Sequence, residues 1–333
     1  MNAFGMIRIA RNVYKEIRAQ KKYNHTFLIP YLDELEKKYN GKFPPEQRQK
    51  ILNYYGIFIT AFLCSSYKKL AGKKLTLEER KRATLFGILT PVGDDLFDLD
   101  KLDEAAIRLI TFQPETYIAN TFSSNVAKEI QTYLLLHVPH REAYVIASKN
   151  VLDIQAETIK QTDPNTSKEE TTRITYTKGA VSVIIYHQCL DEAADAQMQE
   201  ALFFVGSLYQ LGNDIFDLYK DVRDNIYTLV NTSDDFISFR KSFLERVSEQ
   251  HKKIMAGPFP EKNKKDFCVV MNTINARSMV ALDQFVQFQE KKGEKIDWWK
   301  EDRKKMITDM EKPTNFLKWL HYCYTLPKMI STN

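Results

Sequence analysis

Two acidic clusters hold the residues whose types and spacing could do chemistry. The first is Asp94-Asp95-Leu96-Phe97-Asp98. At 100° per residue on a helix, Asp94 and Asp98 lie about 40° apart and one turn from each other, so both carboxylates can address one ion. Parallel carboxylates repel, and a divalent cation removes that repulsion. Hard oxygen ligands that leave room for water and phosphate oxygens suit Mg²⁺. The other reading of these residues is that Pro91, Gly93 and the Asp pair cap the amino terminus of a helix, where Asp is favoured and complements the dipole. The second cluster is Asn213, Asp214, Asp217 and Asp221. Asn213, Asp217 and Asp221, at i, i+4 and i+8, fan across about 80° of one helical face, giving an amide oxygen and two carboxylates as a second candidate metal site. Ala201 to Leu211, just before it, is strongly apolar. The helix carrying this cluster should therefore be buried, where unpaired carboxylates are costly.

The elements that must position these groups are helices. The chain of 333 residues has only 11 Gly and 11 Pro, too few for a turn-rich β architecture or low-complexity disorder. It is 44% hydrophobic and 27% charged, with a net charge of +5 and with its Lys/Arg clusters interleaved with Asp and Glu. That balance disfavours a nucleic-acid partner, which calls for an unbalanced basic face. The amino-terminal stretch with Arg8, Arg11, Lys15, Glu16 and Arg18 lacks the apolar core of a secretory signal and reads as a surface helix. The longest uncharged window, Ile51 to Tyr67, falls short of a membrane span, so no transmembrane segment is expected. Cys64, Cys189, Cys268 and Cys323 are far apart in apolar stretches, which predicts buried free thiols in a reducing, cytoplasmic setting.

Apolar residues recur at helical spacing, as at Tyr117, Ile118, Phe122, Val126, Ile130, Tyr133 and Leu134 between Thr116 and Leu136. Prolines, including Pro30, Pro44, Pro45, Pro91, Pro114, Pro139 and Pro164, read as helix punctuation. After a break at Asp163-Pro164-Asn165, Thr166 with Glu169 or Ser167 with Glu170 can form a capping box that opens a long helix. A further helix should run from about Asn263 to Lys292, ended by Gly293. The fold class expected is all-α, a single domain of ten or more helices around a shared core.

The pair of acidic clusters resembles the two metal-binding motifs of the class I terpenoid synthase superfamily, D-D-x-x-D and a downstream N-D-x-x-S-x-x-x-E. Asp217 stands in the Ser place and Asp221 in the Glu place, both keeping oxygen ligands. Lys220 is similar to the basic residue found before the last ligand, and Thr228-Leu229-Val230 resembles the Asn-Leu-Val of the cyclases. The resemblance covers roughly Leu85 to Tyr324. It implies an antiparallel helical bundle around a central active-site cavity, with residues 81–333 as the synthase core and residues 1–80 as amino-terminal helices of the same domain. It also implies three Mg²⁺ ions held by Asp94, Asp95, Asp98, Asn213, Asp217 and Asp221 around a prenyl diphosphate, farnesyl or geranylgeranyl by preference. Arg173 and the Lys178-Gly179 step are similar in order to the diphosphate-sensing Arg and helix break of the cyclases. Tyr322 takes the place of the Tyr in an Arg-Tyr pair that closes over the diphosphate, here without the neighbouring Arg. Lys220 completes the set of diphosphate-binding cations, and Phe97 and Phe216 are candidates for the cavity wall or, equally, for the bundle core.

The reaction implied is ionisation of one prenyl diphosphate and conversion of the carbocation to a terpene hydrocarbon or alcohol, a carbon-oxygen lyase activity. Head-to-head coupling of the squalene and phytoene synthase type is the first alternative, since Gln210-Leu211-x-Asn213 with Asp217 and Asp221 overlays the motif of that prenyltransferase group. Chain elongation is disfavoured, because no Arg pair follows the first cluster and Asn213 replaces the leading Asp of the second. A non-catalytic prenyl-lipid-binding helical protein is the reading from a different class. Oligomeric state is open, a homodimer included. His137 and His140 flank Pro139 and read as a surface loop, and His187 reads as a core residue rather than a base.

Overall fold

The computed structural model describes residues 3–293 and 295–330, with the side chains of Ala3, Phe4 and Asp98 outside that description. Among the described residues every regular element is helical. The chain forms two compact units, one made of residues up to Lys149 with Ile185–Ala194, the other of Asn150–Ile184 with Asp195 onward.

In the first unit α1 (Ala3–Tyr23) passes through a π-helical turn, Asn24–Leu28, into α2 (Ile29–Lys38). Helix α3 (Pro45–Gln49) passes likewise through a π-helical stretch, Lys50–Cys64, into α4 (Ser65–Leu70). Then come α5 (Leu77–Asp98), α6 (Glu104–Phe112), α7 (Phe122–His137) and α8 (Arg141–Glu157), the last crossing the boundary between the units. Helix α5 packs on α7 and on Lys50–Cys64, burying Leu85, Ile88, Val92 and Leu96.

Thr76 starts α5 with a capping box: its hydroxyl accepts from the Glu79 N–H, and the Glu79 carboxylate accepts from the Thr76 N–H. The same carboxylate accepts from Lys68 Nζ at 2.6 Å and from the Asp191 N–H at 2.9 Å. Lys68 also reaches Glu192. Lys68 and Glu79 are both buried, so neither charge has water to fall back on. Lys68→Met should therefore cost about 3 kcal/mol, the usual penalty for leaving one partner of a buried pair. Urea unfolding would measure it, and a loss below about 1 kcal/mol would place the pair among surface-like bridges.

The second unit holds most of α9 (Lys168–Gln188), then α10 (Ala196–Phe216), α11 (Leu218–Arg223), α12 (Phe236–Ala256), α13 (Glu261–Lys292), α14 (Arg303–Met306) and α15 (Pro313–Met329). Helices α10, α12 and α13 pack on one another, and α15 lies along α13. Of the two caps considered for α9, Ser167 is used, its hydroxyl accepting from the Glu170 N–H at 3.1 Å. Gly293 ends α13 with φ +71°, the left-handed conformation that favours glycine. Trp298 is fully buried, with Phe236 and Phe285 packed edge-on at 5.7 and 5.3 Å between ring centroids.

Three expectations need correction. Pro91 does not separate two helices but lies inside α5. An interior proline costs about 3 kcal/mol, and the buried stripe of Leu85, Ile88, Val92 and Leu96 returns about 1.5–3 kcal/mol per residue. The acidic cluster consequently sits at the carboxyl-terminal end of α5, which rules out the reading of it as an amino-terminal cap. The stripe from Thr116 is shorter than its spacing implied, since Thr121 caps α7, and Ile118 lies before that helix, 88% exposed. The four cysteines are buried and unpaired. His137 is the last residue of α7 and His140 lies in the exposed turn beyond it. His187 is a core residue, as expected, although its Nδ1 has no hydrogen-bond partner among the described residues. Among the described residues no helix is long and apolar enough to cross a membrane.

Candidate acidic site

The second cluster owes its surroundings to two glycines. A Cβ on Gly179 would lie 2.1 Å from the Gly206 carbonyl oxygen, and one on Gly206 would lie 2.2 Å from the Gly179 carbonyl oxygen. Helices α9 and α10 can approach this closely only because neither position carries a side chain. That crossing sets Thr175 and Lys178 of α9 beside the carboxyl-terminal half of α10.

Asp214 is buried there and accepts from Gln210 Nε2 at 2.8 Å and, more loosely, from Thr175 Oγ1 at 3.4 Å. Burial pushes its carboxyl up to about 6, against the opposing pull of the Gln210 hydrogen bond and the Lys178 charge. Asp214 is thus tied to its own helix and to α9, whereas Asn213 is half-buried and Asp217 exposed. Asp217 marks a break between α10 and α11. The hydrogen bonds across the break survive, with the Asp217 N–H donating to the Asn213 carbonyl at 2.8 Å and the Asp221 N–H to the Asp217 carbonyl at 2.9 Å. The i, i+4, i+8 relation of Asn213, Asp217 and Asp221 is therefore close to helical even though the helix is not continuous. Asp221 is half-buried, and burial first, then the Asp214 and Asp217 charges, push its carboxyl up to about 8; Lys220 and Lys178 offset part of this.

The donors are all oxygen, partly desolvated and mutually repelling, which fits a hard divalent cation. Among the described residues no three His, Cys, Asp or Glu side chains are already gathered around one point. The rise of Asp221 has a consequence for stability. A carboxyl raised in the fold above its unfolded value of 3.8 contributes stability at low pH that is lost as the pH climbs through about 8. Above about pH 8 and without metal, Asp221→Asn should accordingly be more stable than the parent, by about 1–3 kcal/mol. Mg²⁺ should raise the melting temperature of the parent by more than that of the variant, which keeps the other proposed oxygen donors. Equal Mg²⁺ response in both would remove Asp221 from the metal set.

The first cluster is built differently. Asp94 is exposed, and Asp95 accepts from Gln47 Nε2 at 2.6 Å, the same nitrogen that donates to the Pro91 carbonyl at 3.1 Å. The side chain of Asp98 lies outside the described residues. Carboxylates near the carboxyl-terminal end of a helix oppose its dipole, and a bound cation would offset this. Burial, then the charge of Asp94, raises the phenol of Tyr55. Phe97 is half-buried.

The remaining expected residues are scattered. Lys178 is half-buried beside Asp214, and the helix break expected at Lys178-Gly179 is not there: α9 runs unbroken through Gly179, which is instead the crossing glycine. Lys220 is exposed, and Phe216 is half-buried with the Arg277 guanidinium 4.7 Å from its ring centroid. Arg173 is not brought to the cluster: it is exposed and paired with Glu157 and Glu170, about 140° around α9 from Lys178. Tyr322 is buried, donating to Asp283 at 2.5 Å and accepting from Arg240 at 2.9 Å, while Arg240 Nε also donates to Asp283 at 2.8 Å. An arginine does accompany Tyr322, then, but from α12. Thr228 and Asn231 form a turn, the Thr228 N–H donating to Asn231 Oδ1 at 2.8 Å.

Sequence reasoning missed Thr175, Gly206, Arg240 with Asp283, and Arg246. The Arg246 guanidinium lies 3.5 Å from the Tyr176 ring centroid and 4.9 Å from that of Phe204, and Nε donates to Ser207 Oγ at 2.8 Å. Ser207, Gln210 and Asp214 share one face of α10 at i, i+3 and i+7. Small residues at Gly179 and Gly206 were the only advance signal of the crossing. No protein-family model, curated protein or solved structure matches the chain.

Proposed function

We propose that the protein is a Mg²⁺-dependent class I terpene synthase acting on a prenyl diphosphate. The observation that carries this reading is the Asn213, Asp217, Asp221 set, an oxygen-only face at the end of a buried helix whose inner carboxylate is raised by burial and by its acidic neighbours, with Lys178 close behind it. Its resemblance to a known diphosphate-binding motif supplies the substrate class.

Asn213, Asp217 and Asp221 would hold Mg²⁺ on the second cluster, and Asp94 with Asp95 and Asp98 on the first. Mg²⁺ bound there would supply positive charge to the diphosphate oxygens and so favour cleavage of the C–O bond. Lys178 and Lys220 add cationic charge beside those oxygens. Asp214 serves as a positioning residue, tied by Gln210 and Thr175 so that α10 presents its neighbours at a fixed rotation. Half-buried Phe97 and Phe216, each within one of the two clusters in sequence, are rings that would stabilise an allylic cation without trapping it.

Incubation with geranyl, farnesyl and geranylgeranyl diphosphate plus Mg²⁺, followed by mass spectrometry of the organic extract, tests the reading. A hydrocarbon or alcohol of the substrate's own carbon number is expected. A product of doubled carbon number would replace cyclisation by head-to-head coupling.

A further inference from the structure

Helix α1 has a one-sided charge distribution that the acidic site does not use. Its charged residues are Arg8, Arg11, Lys15, Arg18, Lys21, Lys22 and a single acid, Glu16, so its net charge alone equals the +5 of the whole chain. Glu16 is turned inward, accepting from Lys69 at 3.4 Å and Arg80 at 3.3 Å, on the side that also buries Ile9 and Gln20. The opposite side is exposed at Arg11, Lys15, Arg18, Lys21 and Lys22. None of these five is ion-paired to a carboxylate among the described residues. Two large apolar side chains share that face, Ile7 at 64% and Tyr14 at 60% exposure. At 100° per residue the five cations and both apolar residues fall within about 120° of arc, along roughly 20 Å of helix.

Interleaved cations and apolar side chains on one solvent-facing helical stripe match an anionic bilayer surface: the cations meet headgroup phosphates and carboxylates while the apolar groups enter the acyl boundary. A nucleic-acid duplex would draw mainly on the cations, through its phosphates, and make less use of the exposed Ile7 and Tyr14. We infer that α1 docks the protein peripherally on anionic membranes, lying in the interface rather than crossing it. This inference is independent of the reaction proposed above.

The test is cosedimentation of the full chain with vesicles of phosphatidylcholine alone or with about 30% phosphatidylserine. Binding is expected only to the anionic vesicles and should be lost near 0.5 M salt, where the Debye length falls to about 4 Å. Arg11→Glu/Arg18→Glu/Lys22→Glu, all solvent-facing and checked for native helicity by circular dichroism, should weaken binding at least about tenfold. Ile7→Ser/Tyr14→Ser keeps the charge and should also weaken it. Equal binding to neutral vesicles, triple-variant binding equal to the parent, or retention on duplex DNA with no vesicle binding would each overturn the inference.

Discussion

Asp94→Ala and Asn213→Ala should each lower turnover of a prenyl diphosphate by at least about 10²-fold, the scale of loss seen when a group organising transition-state charge is removed. The two residues lie in different compact units and on helices that end differently. Asp94 is in the closing turn of α5, where the dipole works against a carboxylate, and Asn213 is one turn before the break at Asp217. Neither side chain is in the buried core, so substitution should leave folding intact, and circular dichroism with a melting curve would show it. Steady-state kinetics at saturating Mg²⁺ would separate the effect on turnover from one on metal affinity. A folded Asp94→Ala variant with parental turnover would remove the first cluster from the mechanism, and the same result for Asn213→Ala would remove the second.

The largest structural effect should come from Gly206→Leu. Even a single Cβ at this position would stand 2.2 Å from the Gly179 carbonyl oxygen and 2.6 Å from the Ala180 Cα, both of them backbone atoms that cannot rotate away. Helices α9 and α10 must separate to admit any side chain, and the Thr175–Asp214 contact then opens. The cost should exceed about 3 kcal/mol, at the upper end of overpacking penalties. Activity should fall by at least about 10²-fold, as expected when reacting groups are displaced by about 1 Å. Gly212→Ala is the matched control: on the same helix, its Cβ would meet only Ser278 Oγ at 3.0 Å, the end of a short side chain. It should be tolerated with a change below about 1.5 kcal/mol. Denaturant unfolding of both variants would decide this, and equal stability of the two would show that the glycine crossing is not what seats the site.

What was legible in the sequence was whatever local spacing controls. The helical class, the Ser167 opening of α9 and the Gly293 ending of α13 follow from periodicity and capping chemistry within a few residues. The i, i+4, i+8 relation of Asn213, Asp217 and Asp221 is of the same kind. Pro91 was misread because proline's local penalty is visible in sequence, whereas the burial of Leu85, Ile88, Val92 and Leu96 that offsets it depends on α7 and Lys50–Cys64 packing against α5. The partners of Tyr322 could not be found locally, since Arg240 and Asp283 lie on α12 and α13. Arg173 shows the converse: its position in sequence suited a diphosphate sensor, but Glu157 on the neighbouring helix and Glu170 one turn away on its own claim the guanidinium. Exposed pairs of this kind contribute little to stability, so their role is to occupy the side chain rather than to hold the fold.

If the oxygen donors of α5 and those of α10–α11 each take part in Mg²⁺-dependent ionisation, as proposed, release of inorganic pyrophosphate is the direct readout. Farnesyl and geranylgeranyl diphosphate are each incubated with the purified chain, with Mg²⁺ and with a chelator. Release should depend on Mg²⁺ and be lost in Asp94→Ala and Asn213→Ala. No release from these two or from geranyl diphosphate in the presence of Mg²⁺ would overturn the proposed activity.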